Sequence, residues 1–153
     1  MTPEPVIRLD PITEKNVREV FRIKVAPSQE KFVASNAWSM AQALAEHGIA
    51  WPRAIVAAEA VVGFIMLEID PEEENGRPFW LWRLMVGADH QRRGIGRRAL
   101  DLAVAEIRRR GGEDLYTSWV DDDGGPGPFY KIYGFEPTGE IDDGEIVARL
   151  RLT

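Results

Sequence analysis

An α+β fold, built on a mixed, mostly antiparallel sheet flanked by helices, is predicted by three features of this sequence. Residues 53–58 and 61–69 both read as strands, and only Glu59 and Ala60 separate them, so they must run antiparallel. A helix-patterned run at 97–110 lies between two more strands, at 78–86 and 115–120, which makes the sheet mixed. The chain has 153 residues, is 44% apolar and shows neither an internal repeat nor a linker, so one domain spanning 1–153 is expected.

Residues 6–12 alternate loosely and read as the first strand. Thr13 is placed to cap a helix running to residue 25, with Val17, Val20 and Phe21 on one face, and Pro27 breaks it. Ser28 then caps a second helix through His47. Val33, Ala37, Met40, Ala41 and Leu44 recur there at helical spacing, and Gly48 ends it. The antiparallel pair follows, then an exposed acidic loop at 70–76. The strand at 78–86 is rich in aromatic and aliphatic residues, with Phe79, Trp80, Leu81 and Trp82. In the next helix Leu100, Ala103, Val104 and Ile107 form an apolar stripe. Arg108, Arg109 and Arg110 occupy its last turn, where the dipole favours cations, and Gly111-Gly112 stops it. A strand at 115–120 is followed by a Gly/Pro/Asp loop at 121–128. A short helix holding Tyr130 and Tyr133 ends at Gly134, and a strand at 145–152 closes the sheet.

Composition narrows the function. With no cysteine, disulfides and thiolate metal sites are excluded, and the two histidines, His47 and His90, lie far apart, so no metal is expected. The net charge of −6 argues against nucleic acid as a partner. It suits a cationic small molecule, although solubility alone explains an acidic chain. There is neither a signal-like N-terminal apolar segment nor a membrane-length apolar run, so a cytoplasmic protein with no membrane partner is expected.

The richest stretch is Gln91-Arg92-Arg93-Gly94-Ile95-Gly96, between the apolar strand and the long helix. Two glycines at such a turn allow close backbone approach to a ligand. The first helical N–H groups have no internal partner, and the dipole adds positive charge there. Arg92, Arg93, Arg97 and Arg98 crowd the same turn. These features describe a phosphate or pyrophosphate site. Gly94-Ile95-Gly96-Arg97-Arg98-Ala99 also fits a dinucleotide fingerprint. That fold needs the fingerprint near its start, with several βα units to follow, and here the upstream strands are antiparallel.

Gln91-x-x-Gly94-x-Gly96 between strand and helix, followed in order by Phe129-Tyr130-Lys131-Ile132-Tyr133-Gly134-Phe135, resembles the acyl-coenzyme A N-acyltransferases of the GNAT superfamily. The resemblance covers residues 53–152 well and the N-terminal third more loosely. It implies the GNAT fold and an N-acetyltransferase that uses acetyl-CoA as cosubstrate. It also implies that the N–H groups of Arg92, Arg93, Gly94, Ile95, Gly96 and Arg97, after Gln91, hold the pyrophosphate. The backbone of Leu84, Met85 and Val86 would pair with the pantetheine arm like an extra strand. Tyr130, four residues before Gly134, matches the family's general acid, whereas Tyr133 fits core packing better. Many family members carry Asn seven residues before that tyrosine. This chain has Asp123 there, which puts that contact to the cofactor in doubt.

Aminolysis of a thioester requires a neutral amine, a donor for the developing oxyanion and, at the end, a proton for the thiolate. An alkyl amine of pKa near 10.4 is neutral in about one part in a few thousand at pH 7, which costs about 4–5 kcal/mol unless the site shifts it or removes the proton. Glu68, near the end of its strand, is one candidate base, and a water chain is the other. Asp121 and Asp122 can present carboxylates to a cationic substrate, and Trp82 is one of several tryptophans able to line a cleft for an aliphatic stem. Carboxylates beside the reacting amine would keep it protonated, so they serve better at a distance.

Residues 25–36, the run Leu81-Trp82-Arg83-Leu84-Met85 and the segments at 138–140 and 144–147 look like the spermine/spermidine or diamine acetyltransferase branch. The expected partner is therefore a small-molecule amine, most of all a polyamine, with a homodimer left open. Two other readings stand beside this one: a coenzyme A-binding module without catalysis, and an acetyltransferase acting on a protein amine.

Overall fold

The computed structural model describes residues 4–152. The elements are β1 (Ile7–Pro11), α1 (Val17–Arg22), α2 (Asn36–Ala45), β2 (Ala50–Ala57), β3 (Ala60–Ile69), β4 (Phe79–Val86), α3 (Ile95–Arg109), β5 (Asp114–Val120), α4 (Gly127–Tyr133), β6 (Glu136–Asp142) and β7 (Glu145–Arg151). The strands form one seven-stranded sheet in the order β1-β2-β3-β4-β5-β7-β6. Every neighbouring pair is antiparallel except β4 and β5, and α3 is the crossover that a parallel pair demands. The mixed α+β sheet expected from the sequence is therefore present. No described helix is long and apolar enough to cross a membrane.

Two apolar layers hold the sheet. On one face Ala99, Leu100, Ala103, Val104 and Ile107 of α3 pack against Ile65, Leu67, Leu81 and Leu115, with Trp119, Tyr130 and Phe135 closing the far end. On the other face α1 and α2 cover β2 to β4 over Val20, Ala54, Val56, Phe64, Met66 and Met85. Each large apolar side chain so buried contributes roughly 1.5–3 kcal/mol. The end of α3 follows the expected glycines. Gly111, with φ +83°, adopts the left-handed conformation; its N–H donates to the Arg108 carbonyl and that of Gly112 to the Ile107 carbonyl, both at 2.9 Å.

The N-terminal third departs from expectation. Thr13 is not the cap: its carbonyl accepts the Val17 N–H at 2.9 Å, but the helix runs only over Val17–Arg22 and the residue before it is Asn16. Ser28 caps nothing. It lies in a 3₁₀ strap, Pro27–Phe32, and the second helix starts only at Asn36, where the Ser35 hydroxyl accepts the Trp38 N–H at 3.1 Å. Near the C-terminus the sequence reading missed β6. Its residues are all exposed, so no apolar alternation marks it. The edge strand is held by its pairing with β7 through the hairpin turn at Asp143 (φ +50°) and Gly144 (φ +78°).

Candidate active site

The site grows from the seam between β4 and β5. The parallel ladder joins Trp80 to Tyr116, whose rings lie 5.3 Å apart, and the Thr117 hydroxyl donates to the Leu81 carbonyl at 3.1 Å. Farther along, the strands part. The Gly87 N–H donates to Val62 on β3 at 2.8 Å, and Met85 stands opposite Phe64. Backbone groups alternate edges along a strand, so those of Leu84 and Val86 point into the gap. Gln91 takes the Val86 carbonyl with its Nε2 at 2.9 Å, which leaves the Leu84 groups as the open edge. A bulge opposite Met66 and Leu67 leaves Trp82 without a register partner and turns Trp82 and Arg83 to the same face. There Trp82 packs against the second core, and Arg83 donates to Ser39 (3.2 Å) and Gln42 (3.0 Å) on α2.

The glycine turn enters α3 beside this gap. Gly94, with φ +74°, is the residue before the helix, and no side chain caps it. Arg92 also takes a positive φ, +64°, which sequence reasoning missed. Left-handed residues in such a turn curl successive N–H groups into a concave nest, and a strained non-glycine there is characteristic of ligand loops. A Cβ on Gly94 would meet nothing within 4 Å, so its requirement is conformational. A Cβ on Gly96 would stand 3.7 Å from both Val86 and Phe129, on the wall of a cleft of about 390 Å³. Arg92, Arg93 and Arg97 are exposed around the turn. Arg98 is turned away: it donates to the Pro5 carbonyl at 2.7 Å and faces Glu4 at 3.8 Å.

Tyr130 lines the same cleft. Its ring is stacked 5.6 Å from Trp119 and meets Phe129 and Phe135 edge-on at 5.3 and 5.5 Å. Gly127 permits this approach, since a Cβ there would lie 2.8 Å from the Trp119 indole nitrogen. Burial pushes the Tyr130 phenol above its ordinary pKa, so it stays a neutral donor. Among the described residues its hydroxyl has no hydrogen-bond partner. Tyr133, by contrast, donates to Asp101 on α3 at 2.6 Å.

The other expected residues are not gathered here. Asp121, Asp122 and Asp123 are exposed; Asp122 pairs with Lys31 at 3.4 Å, and the loop reaches the cleft through Gly124, Gly125 and Pro126 instead. Glu68 does not line the cleft either. It stands opposite Trp80 at the closed end of the seam, about 13 Å along β4 from Leu84 at strand rise. Burial, and then Glu73, Asp70 and Glu46, raise its pKa to about 7. Its carboxylate, with those of Asp70 and Glu73, forms a group whose oxygens lie within 4.8 Å of one another. The sequence reading also missed the strap, whose Gln29 and Phe32 wall the cleft. They lie in the run 25–36 that carries the branch resemblance, but nothing in the sequence gives either side chain a role.

A family model described as the acetyltransferase (GNAT) family matches residues 10–135. The chain belongs to that family. As a GNAT protein it is an acetyl-CoA-dependent N-acetyltransferase. Solved structures share the fold. An acetyltransferase from Thermus thermophilus superimposes with a TM-score of 0.78 at 20% identity, covering 97% of this chain and 99% of that one. The PaiA N-acetyltransferase of Thermoplasma acidophilum, solved with coenzyme A, gives 0.73 at 13% identity over 95% and 99% of the two chains. The GNAT protein YhbS of Escherichia coli, also solved with coenzyme A, gives 0.70 at 16% over 100% and 85%. No curated protein matches the sequence significantly.

Proposed function

We propose that this GNAT protein acetylates a primary amine of a small molecule, a polyamine before other amines, with Tyr130 as general acid. One observation carries the reading: the hydroxyl of Tyr130, without a hydrogen-bond partner among the described residues, shares a cleft with the open edge of β4 and the nest of the glycine turn. Both cofactor elements fit the residues present. The Leu84 backbone offers a donor and an acceptor to an extended arm, and the N–H groups from Arg92 to Arg97, with three exposed arginines, suit a pyrophosphate.

Acetyl-CoA supplies the acyl carbon and a thiolate leaving group. The amine nitrogen bonds to that carbon, the carbon–sulfur bond breaks, one amine proton leaves to water, Tyr130 gives its proton to the sulfur, and the water returns a proton to Tyr130. Glu68 does not line the cleft, and in this reading it does not take the proton. It has a second role in this reading. Leu67 and Ile69 face the α3 core, so Glu68 faces the opposite side, as does Trp80 between Phe79 and Leu81. The group Glu68, Asp70 and Glu73 therefore stands remote from the reacting amine, where a distal ammonium can rest without holding the proton on its partner.

The test is an amine panel with acetyl-CoA, read by product mass and thiol release: monoamines, diamines and polyamines of matched length, and a peptide with a free N-terminus. Diamines and polyamines should lead. Coenzyme A binding without thiol release on any amine would favour a non-catalytic module, and preference for the peptide would favour a protein acceptor.

A further inference from the structure

The strap Pro27–Phe32 crosses the open end of the seam and is fixed to both lips. On the β5 side Lys31 pairs with Asp122 at 3.4 Å, and the Phe32 ring stands 3.3 Å from where a Cβ of Gly125 would be. On the β4 side the attachment is a chain of amides. The Ala26 N–H donates to Gln29 Oε1 at 3.1 Å, Gln91 Nε2 donates to the same oxygen at 2.8 Å, and Gln91 Nε2 also donates to the Val86 carbonyl at 2.9 Å.

The two ends of this chain are backbone groups of fixed polarity, a donor at Ala26 and an acceptor at Val86. They settle the orientation of both side-chain amides. Gln29 must turn its oxygen inward, and Gln91 its nitrogen. What remains is Gln29 Nε2, a donor with no acceptor among the described residues, and Gln91 Oε1, an acceptor with no donor among them. Both residues line the cleft, beside the end of β4 and just before the nest. An amide donor next to an amide acceptor complements a secondary amide, which carries one of each.

We infer that Gln29 and Gln91 clamp an amide of the cofactor's arm, with Gln29 Nε2 donating to its carbonyl. The inference rests on the acetyl-CoA reading above. It gives the strap a binding role: the segment that roofs the cleft also reads the arm between thioester and phosphates. It also explains why a glutamine so far from the glycine turn in sequence is bonded to the turn's first residue.

The test pairs two variants. Gln29→Met removes the free donor and both bonds to Gln29 Oε1, and leaves Gln91 on the Val86 carbonyl. Gln29→Glu keeps an oxygen for Ala26 and Gln91 but replaces the free donor by an acceptor. Affinity is measured by calorimetry for coenzyme A and for pantetheine, which has the amides and no phosphate, with thermal melting as the check on folding. Wild-type binding of coenzyme A tests the acetyl-CoA reading by itself. Given that binding, the clamp predicts that both variants lose about tenfold or more for both ligands, the scale of one hydrogen bond plus a buried group left unpaired. If Gln29→Glu binds both ligands like wild type, Gln29 only anchors the strap and the clamp is wrong. If it weakens coenzyme A and leaves pantetheine untouched, the loss is repulsion between carboxylate and phosphate, and the clamp is equally wrong.

Discussion

Tyr130 and Tyr133 lie on the same short helix, and their hydroxyls differ in one respect. That of Tyr133 is committed to structure, because it joins α4 to α3 through Asp101 at 2.6 Å. That of Tyr130 is held by three aromatic rings, yet has no partner among the described residues. The same contrast recurs in two other pairs. Gly112 is a glycine because its Cβ would lie 2.4 Å from Ile107 and 2.7 Å from Phe79, whereas a Cβ on Gly96 would have room and would face the cleft. Glu106 is held near pKa 2 by Arg109 and then Arg110, whereas Glu68 is raised to about 7 by burial and then by the carboxylates of Glu73, Asp70 and Glu46. A group that the fold leaves uncommitted, in a place that holds it still, is a group available to a ligand.

Four experiments break or sharpen this contrast. The largest effect is expected from Tyr130→Phe: kcat should fall by about 10²–10⁴, the usual contribution of an acid–base group, with little change in coenzyme A affinity. Steady-state rates within threefold of wild type would reduce Tyr130 to packing. Next are the glycines. Gly96→Val should melt like wild type and bind coenzyme A at least about tenfold more weakly in calorimetry. Gly112→Ala should do the reverse, losing about 1–3 kcal/mol of stability to overpacking in denaturant titrations while any properly folded fraction binds normally.

Glu68→Gln should raise KM for a diamine severalfold and leave an equal-length monoamine nearly unchanged, because the distal charge pair is partly exposed. The pH dependence has a definite sign. Folding raises this carboxyl from 4.5 to about 7, so the folded state binds the extra proton between those values. The stability tied to that proton is fully present below pH 4.5 and is lost as pH rises through about 7. Glu68→Gln should flatten that slope, by on the order of 1 kcal/mol once its partial exposure is allowed for. For the wild type, kcat/KM with the diamine should climb as pH passes 7 and the carboxylate ionises. A pH profile identical in wild type and variant would remove Glu68 from acceptor binding. The smallest effect is expected from Tyr133→Phe, about 0.5–1.5 kcal/mol of stability with kcat near wild type. A kcat loss matching that of Tyr130→Phe would erase the contrast between the two hydroxyls.

Legibility in the sequence followed chain distance. The placement of the glycine turn and of the helix that carries Tyr130 could be read because each needs only neighbours in sequence: a strand end and a helix start, or a helix and its terminating glycine. Gln29 could not, since its meaning comes from Gln91, and nothing in the sequence pairs them. Ser28 and Ser35 both precede helix-compatible residues. Pro27 and the amide chain draw the first into the strap, so the second caps α2. The edge strand β6 lacks an apolar face, but Asp143-Gly144 was a legible hairpin signal that the sequence reading passed over. Arg98 looked equivalent to its neighbours until the N-terminal segment took its guanidinium.

The single parallel seam has a consequence for cooperativity. Four antiparallel strands lie to one side of it and three to the other, and the ladder between the blocks joins only Trp80 to Tyr116. Each block has its own hydrogen-bond network, so native-state exchange should find two units that open with separate energies. A molecule lying along the gap touches both. At a hundredfold excess over its Kd, a ligand of the native state adds about 2.7 kcal/mol to the cost of opening either unit. Bound as proposed, the cosubstrate would staple the two half-sheets, and the firmness of this protein would follow the supply of the molecule it consumes.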